Sequence, residues 1–248
     1  MMKKRIKLTM LLLLSISTVF ITGCTFDPVV TGSENTVEEE LAYKDFNAID
    51  LNHSFSAEII QSDQYKVSIT YNTNLKKYIK VLERGKTLKI GLKEDHNYRN
   101  VKLSVKIFMP DITGINASGA CKIDLPKFSS ENLQIELSGA STLHAGLEIN
   151  NNLKINSSGA SDIFLAGHAK NTDLVFSGAS KLSGKGMIII NNLDIECSGA
   201  STIILTANGN ISLDLSGASE VNYYGNGTVV KANTSGASSI NKRGNDTL

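Results

Sequence analysis

The chain has 248 residues, no Trp, 3 Pro and a formal charge of only +1. Removing Lys3, Lys4, Arg5 and Lys7 of the leader from its 25 basic residues leaves 21 against 24 acidic ones. Neither balance supplies the basic field that a phosphate backbone needs, so nucleic acid is excluded as a partner. The abundance of Gly, Ser and Asn among β-branched residues points to many short strands joined by tight corners.

In chain order, Met1 to Lys7 is a basic n-region and Leu8 to Ile21 an apolar h-region too short to span a bilayer, so residues 1–23 read as a signal peptide. The run Ile21-Thr22-Gly23-Cys24 resembles the lipobox of bacterial lipoproteins, with Ile21 where Leu is more usual. Cys24 is accordingly the expected lipidation site. Acyl chains there would make the membrane a partner without a spanning segment. Residues 24–44 lack hydrophobic period and carry Gly32, Ser33 and the run Glu38, Glu39, Glu40, which predicts a solvated, flexible tether.

Residues 45–117 alternate apolar and polar side chains, most clearly at Ile49 and Leu51; Val67, Ile69 and Tyr71; Leu88, Ile90 and Leu92; and Val101 to Met109. A period of two predicts half-buried strands, with a turn at Arg84-Gly85-Lys86. The stretch is expected to form irregular first turns, or a cap, of the structure that follows.

Residues 118–248 are organised by a four-residue phrase, Ser-Gly-Ala-Ser, starting at Ser118 (where Cys121 closes it), Ser138, Ser158, Ser177, Ser198, Ser216 and Ser235. The steps are 20, 20, 19, 21, 18 and 19 residues. A period near twenty marks repeats that bury their apolar faces only by stacking on neighbours. Apolar columns run five, three and one residue before each phrase, for example Leu133, Ile135 and Leu137, and five after its first Ser, as at Ile123, Leu143 and Ile163. In the last full turn the column five residues before the phrase is filled by Val230. Asn132, Asn152, Asn171, Asn192 and Asn210 form a further column, broken by Val229. Asn tolerates the left-handed backbone of a sharp corner, and stacked amides can bond between turns.

A turn of this length accommodates three short sides, with equivalent residues about 4.8 Å apart in parallel strands. Crossover chirality then predicts an all-β, right-handed, single-stranded parallel β-helix, a solenoid with turns of about 19–20 residues.

No chemistry recurs with the repeat. Seven serines beside glycine lack a matching base, since His53, His96, His144 and His168 do not follow the period. No metal-ligand spacing and no phosphate-cradling loop occurs, so no catalytic residue, cofactor or metal is assigned. The outward column Lys122, Thr142, Asp162, Lys181, Thr202, Glu220 and Ser239 mixes signs and reads as a solvated face. Cys121 and Cys197 fall four turns apart, about 19 Å along the stack, and are expected to stay free thiols with Cys197 facing the core.

The opening Phe46-Asn47-Ala48-Ile49, the literal Gly114-Ile115-Asn116 before the first phrase and the recurring Ser-Gly-Ala-Ser turns together resemble the head GIN domain family of auto-transporter adhesins, over about Phe46 to Ile240. The resemblance implies a right-handed β-helix in the envelope of a Gram-negative bacterium, often as a lipoprotein, and adhesion through a glycan or protein ligand. The expected function is a lipid-anchored, non-enzymatic surface binding module at the outer membrane, facing the periplasm or the outside. A glycan-active enzyme and a periplasmic structural or envelope-stress component are the alternatives.

Overall fold

A computed structural model describes residues 28–244. The signal peptide of residues 1–23 and Cys24 lie outside the described residues. The chain enters through β1 (Val29–Thr31) and β2 (Thr36–Leu41), which corrects the reading of residues 24–44 as a tether over the part described. The acidic run conceals a period of two. Val37 and Leu41 pack against the core, Glu38 and Glu40 face out, and Glu39 on the inner row is held by an ion pair to Lys76.

The predicted alternating segments become β3 (Ala48–Leu51), β4 (Ser56–Gln61), β5 (Lys66–Asn72), β6 (Ile79–Arg84), β7 (Thr87–Leu92), β8 (Asn97–Arg99) and β9 (Leu103–Met109), with a 3-10 helix over Thr73–Tyr78. They are not successive coils. β7 and β9 run parallel to β3 and β4 on their outer edges, while β5 joins β9, β2 joins β5 and β6 joins β7 in antiparallel pairs. The β6–β7 hairpin turns at Gly85, whose φ of 61° only glycine adopts without cost. β1 pairs with β8, beside an aromatic cluster in which the Tyr78 ring lies 4.8 Å from His96 and 5.9 Å from Tyr98.

From β10 (Gly114–Ala117) the chain coils regularly. The long strands β11 (Lys122–Gly139), β12 (Thr142–Gly159), β13 (Asp162–Gly178) and β14 (Lys181–Gly199) each make most of a turn. They are followed by β15 (Thr202–Ala207), β16 (Asn210–Leu215), β17 (Glu220–Tyr224), β18 (Thr228–Thr234) and β19 (Ser239–Lys242). Pairing along this stack is parallel and in register, Leu133 to Leu153 to Thr172 to Leu193 to Ile211, and builds a β-solenoid of about 6 turns. Register irregularities at Leu125/Phe128 and Ser130/Asn132 divide β11 into three sides. The predicted apolar columns line the interior, with Ile123, Leu143, Ile163, Leu182, Ile203 and Val221 all buried.

The phrase is the corner. The amide of each Ala donates to the carbonyl of the glycine one turn below, Ala140 to Gly119, Ala160 to Gly139 and Ala179 to Gly159, all at 2.8 Å. The second Ser of the phrase points inward and is buried at Ser141, Ser161, Ser180, Ser201 and Ser219. The hydroxyls of Ser141, Ser180, Ser201 and Ser219 bond the corner, as Ser219 Oγ does to the Ser216 carbonyl at 3.2 Å, whereas Ser161 Oγ is buried without a partner. Cys121 fills the same buried position in the first copy.

An earlier copy precedes it. Leu51 pairs with Ala117, His53 accepts from the Ala120 amide at 2.7 Å with φ 70°, and Phe55 is buried where later turns carry Ser. Asn52-His53-Ser54-Phe55 is therefore a phrase with none of its usual letters except Ser.

Two columns differ from expectation. The Asn residues keep extended backbone, since among non-glycine residues described only Asp45, His53 and Asn100 have positive φ. They sit just past the irregularity and form an outer amide ladder, with Nδ2 to Oδ1 bonds of 3.0 Å from Asn152 to Asn132 and 3.1 Å from Asn192 to Asn171. In the last turn a bulge pairs Ile211 with Val229, so Val229 packs on the core and Val230 is thrown out, 59% exposed.

A methyl group on Gly159 would lie 2.9 Å from the Gly139 amide nitrogen and nearer still to its carbonyl oxygen, at a φ of 122°. Gly85 has positive φ but nothing within 4 Å of such a methyl. Gly85→Ala should cost about 1 kcal/mol of left-handed strain, and Gly159→Ala at least about 2 kcal/mol more because the backbone below cannot yield. Urea melts of the two variants read the difference; equal losses would show that the stacked carbonyl imposes no constraint.

Candidate functional site

A concavity of about 900 Å³ opens on the outer face where the antiparallel N-terminal strands meet the regular stack. Two cross-strand rows form its floor. One runs through Thr70, Ser104 and Ser56 on β5, β9 and β4; its neighbour runs through Ser68, Lys106, Glu58, Asp124, His144 and Phe164 from β5 to β13. The first row is short-chained and its surroundings are long, so the surface is dished. Pro126, Gly146 and Ala166 continue the low floor to the corner. Gly146 is required there, because a methyl would run into the Pro126 carbonyl below it.

The second row is fixed side chain by side chain. Lys106 Nζ lies 3.0 Å from Glu58 Oε2, and His144 Nδ1 lies 3.0 Å from Asp124 Oδ1, with Lys122 Nζ 3.7 Å from the other Asp124 oxygen. Exposed pairs of this kind contribute little stability and serve chiefly to orient the groups. The Phe164 ring meets the His144 ring edge to face at 4.8 Å and is 42% exposed. By contrast the hydroxyls of Ser56, Ser68, Thr70 and Ser104 make no hydrogen bond within the described residues, which leaves four such groups of one small area facing outward. The row combines fixed carboxylates, a fixed imidazole, an accessible ring and unpaired donor-acceptor groups: the makings of a recognition surface.

The residues singled out in the sequence fall elsewhere or singly. Phrase serines mark the corner of another side, His168 and His96 stand apart from the groove, and His144 alone of the four histidines lines it. His53 is half-buried and its Nδ1 accepts from the Leu92 amide at 3.3 Å; burial lowers its pKa, against a smaller opposing effect of Glu94. No group of three or more His, Cys, Asp or Glu side chains is placed to hold a metal among the described residues. Nor is any helix among them long and apolar enough to cross a membrane. The groove was hidden in the sequence because its rows join residues from six strands; the local signal is the aromatic Phe164 at an outward position of β13.

Cys121 and Cys197 are free and buried, as expected. Burial pushes the Cys121 thiol up to about 11 and the Cys197 thiol up to about 12. Acids raised in the folded state contribute stability that is complete below the unfolded thiol pKa of about 8.5 and is lost as pH climbs through the folded values. Between roughly pH 8 and 11 the urea midpoint should therefore fall, and less so in Cys121→Ser with Cys197→Ala. A disulfide reagent should label neither thiol before unfolding; rapid labelling of the native chain would contradict the burial.

A family model described as "Putative auto-transporter adhesin, head GIN domain" matches residues 45–227. Among solved structures, a putative adhesin from Bacteroides fragilis superposes with a TM-score of 0.76 at 20% identity, covering 87% of this chain and 99% of its own. A putative lipid binding protein from Parabacteroides distasonis gives 0.68 and a putative adhesin from Parabacteroides merdae 0.63, each at 20% identity and with 87% of this chain and 99% of the other covered. At these identities the structures establish the shared solenoid. No curated protein sequence matches the chain.

Proposed function

This chain belongs to the family described as "Putative auto-transporter adhesin, head GIN domain", and on that premise we propose that it is a non-enzymatic binding module of the cell envelope that engages its ligand through the outer-face groove. The groove carries the reading. Its hydroxyls face solvent without a protein partner, whereas the repeat corners are spent on stacking. An ion-paired Asp124–His144 couple without a nucleophile beside it fits recognition better than turnover.

The same proposal includes the anchor. The leader and lipobox support lipidation of Cys24, and with it attachment to the outer membrane. A chain held by acyl groups at one end would present the solenoid's side faces, groove included, to a ligand.

The test displays the full chain on a non-adherent bacterium and measures retention on epithelial cells and on immobilised matrix proteins and glycans. Retention above the empty display strain is expected; its absence on every surface would refute an adhesive role. In parallel, Cys24→Ala should move the protein from the membrane to the soluble fraction. Protease shaving of intact cells distinguishes display outside from residence in the periplasm.

A further inference from the structure

Resting on that reading of the groove, we infer that its ligand is an uncharged carbohydrate chain, a hexopyranose oligomer bound across strands β5, β9, β4, β11, β12 and β13. Charge points this way first. Glu38, Glu58 and Asp124 line the groove against Lys106 and the adjacent Lys122, so acidic groups outnumber basic ones and an anionic polymer or a phosphate headgroup would meet repulsion. A cation fares little better, since Glu58 is engaged by Lys106 and Asp124 by His144 and Lys122, which leaves Glu38 beside Thr70 as a lone carboxylate at one end of the groove. Apart from Glu38, the side chains left without a protein partner are neutral: the hydroxyls of Ser56, Ser104, Thr70 and Ser68.

A hydroxyl both donates and accepts, and so matches another hydroxyl in either sense without a buried mismatch. Those of Thr70, Ser104 and Ser56 stand in register on adjacent strands, spaced about 4.8 Å, close to the length of one sugar ring unit. At the far side the accessible face of Phe164, held in place by His144, offers a flat electron-rich surface to the apolar C–H face of a pyranose. Fixed carboxylates of Asp124 and Glu58 retain lone pairs that accept from sugar hydroxyls lying between ring and hydroxyl row. For a protein partner, one half-exposed aromatic is a thin anchor.

The full chain is titrated against neutral oligomers (maltoheptaose, cellohexaose, laminarihexaose and chitohexaose), with polygalacturonate, heparin and phosphatidylglycerol vesicles as charged comparators. Binding to at least one neutral oligomer is expected, stronger than to any comparator. Phe164→Ala should weaken it about tenfold or more, and Ser104→Trp, which fills the floor, should abolish it. Val175→Ala, on another side of the solenoid, should bind as the parent does, and melting curves confirm that each variant is folded. Preference for a charged comparator, failure with all four oligomers, or neutral binding untouched by both groove substitutions would overturn the inference. If displayed chain still adheres to cells in those cases, the adhesin reading stands while the carbohydrate assignment falls; loss of adhesion everywhere removes both.

Discussion

The whole solenoid rests on a carbonyl oxygen that sits directly under each corner glycine. Strands of neighbouring turns are about 4.8 Å apart, and at the phrase this spacing brings backbone onto backbone, so that Gly139, Gly159, Gly178, Gly199 and Gly217 each have the glycine below within contact of the place a methyl would occupy. The following alanine amide closes the contact with a hydrogen bond of 2.7–2.8 Å from turn to turn. Left-handed φ at the glycine then directs the next two residues so that the second Ser enters the core and the residue five after the first Ser enters the next side. Register is consequently set once per turn at the corner. The apolar columns fill in afterwards, which is why Leu, Ile, Phe, Cys, Thr and Ser can all occupy column positions.

Such a lock propagates order but also propagates an edge. At the N-terminal end the edge is disposed of by reversing direction. β5, β2 and β6 add antiparallel strands, Leu75 of the 3-10 helix is buried beneath them, and ring contacts among Tyr78, His96 and Tyr98 close the side. At the other end β18 and β19 each pair on one side only. There Ala232 and Thr234 are exposed where Leu213 and Leu215, one turn below, are buried. Small residues taper the core, and Lys231, Lys242 and Arg243 place charge along the edge strands, the usual deterrent to further pairing.

The sequence was most legible where the lock operates. A fixed phrase at a fixed step, with apolar columns around it, is enough to specify a parallel stack, its corners and the burial of Cys121 and Cys197. It became opaque wherever the backbone rule was met by other letters. His53 takes a glycine's conformation at the zeroth corner, held there by the Leu92 amide and the Tyr98 ring 5.7 Å away, and no alignment of identical letters reveals that. Counting residues back from Ser235 put Val230 in the core, because a bulge is invisible to counting. Composition assigned Glu38 to Glu40 to a tether, although alternate residues of that run serve an inner row through Val37, Leu41 and the Lys76 pair. The Asn column suggests a left-handed corner, but an extended backbone lets the amides stack just as well.

The groove belongs to this second category, and for a physical reason. Perfect repetition places like beside like on every outer row, giving Asn upon Asn or Ser upon Ser, and a surface of that kind has no distinct point at which a ligand is recognised. Distinctness arises where the regular stack abuts strands that are not copies of it. There the row Ser68, Lys106, Glu58, Asp124, His144, Phe164 changes chemistry at every step while each backbone position stays fixed by the strands on either side. The repeat supplies rigidity without identity, the N-terminal strands supply identity, and only their junction has both. Side chains held on strands lose little freedom on binding, so weak individual contacts across such a junction can add up.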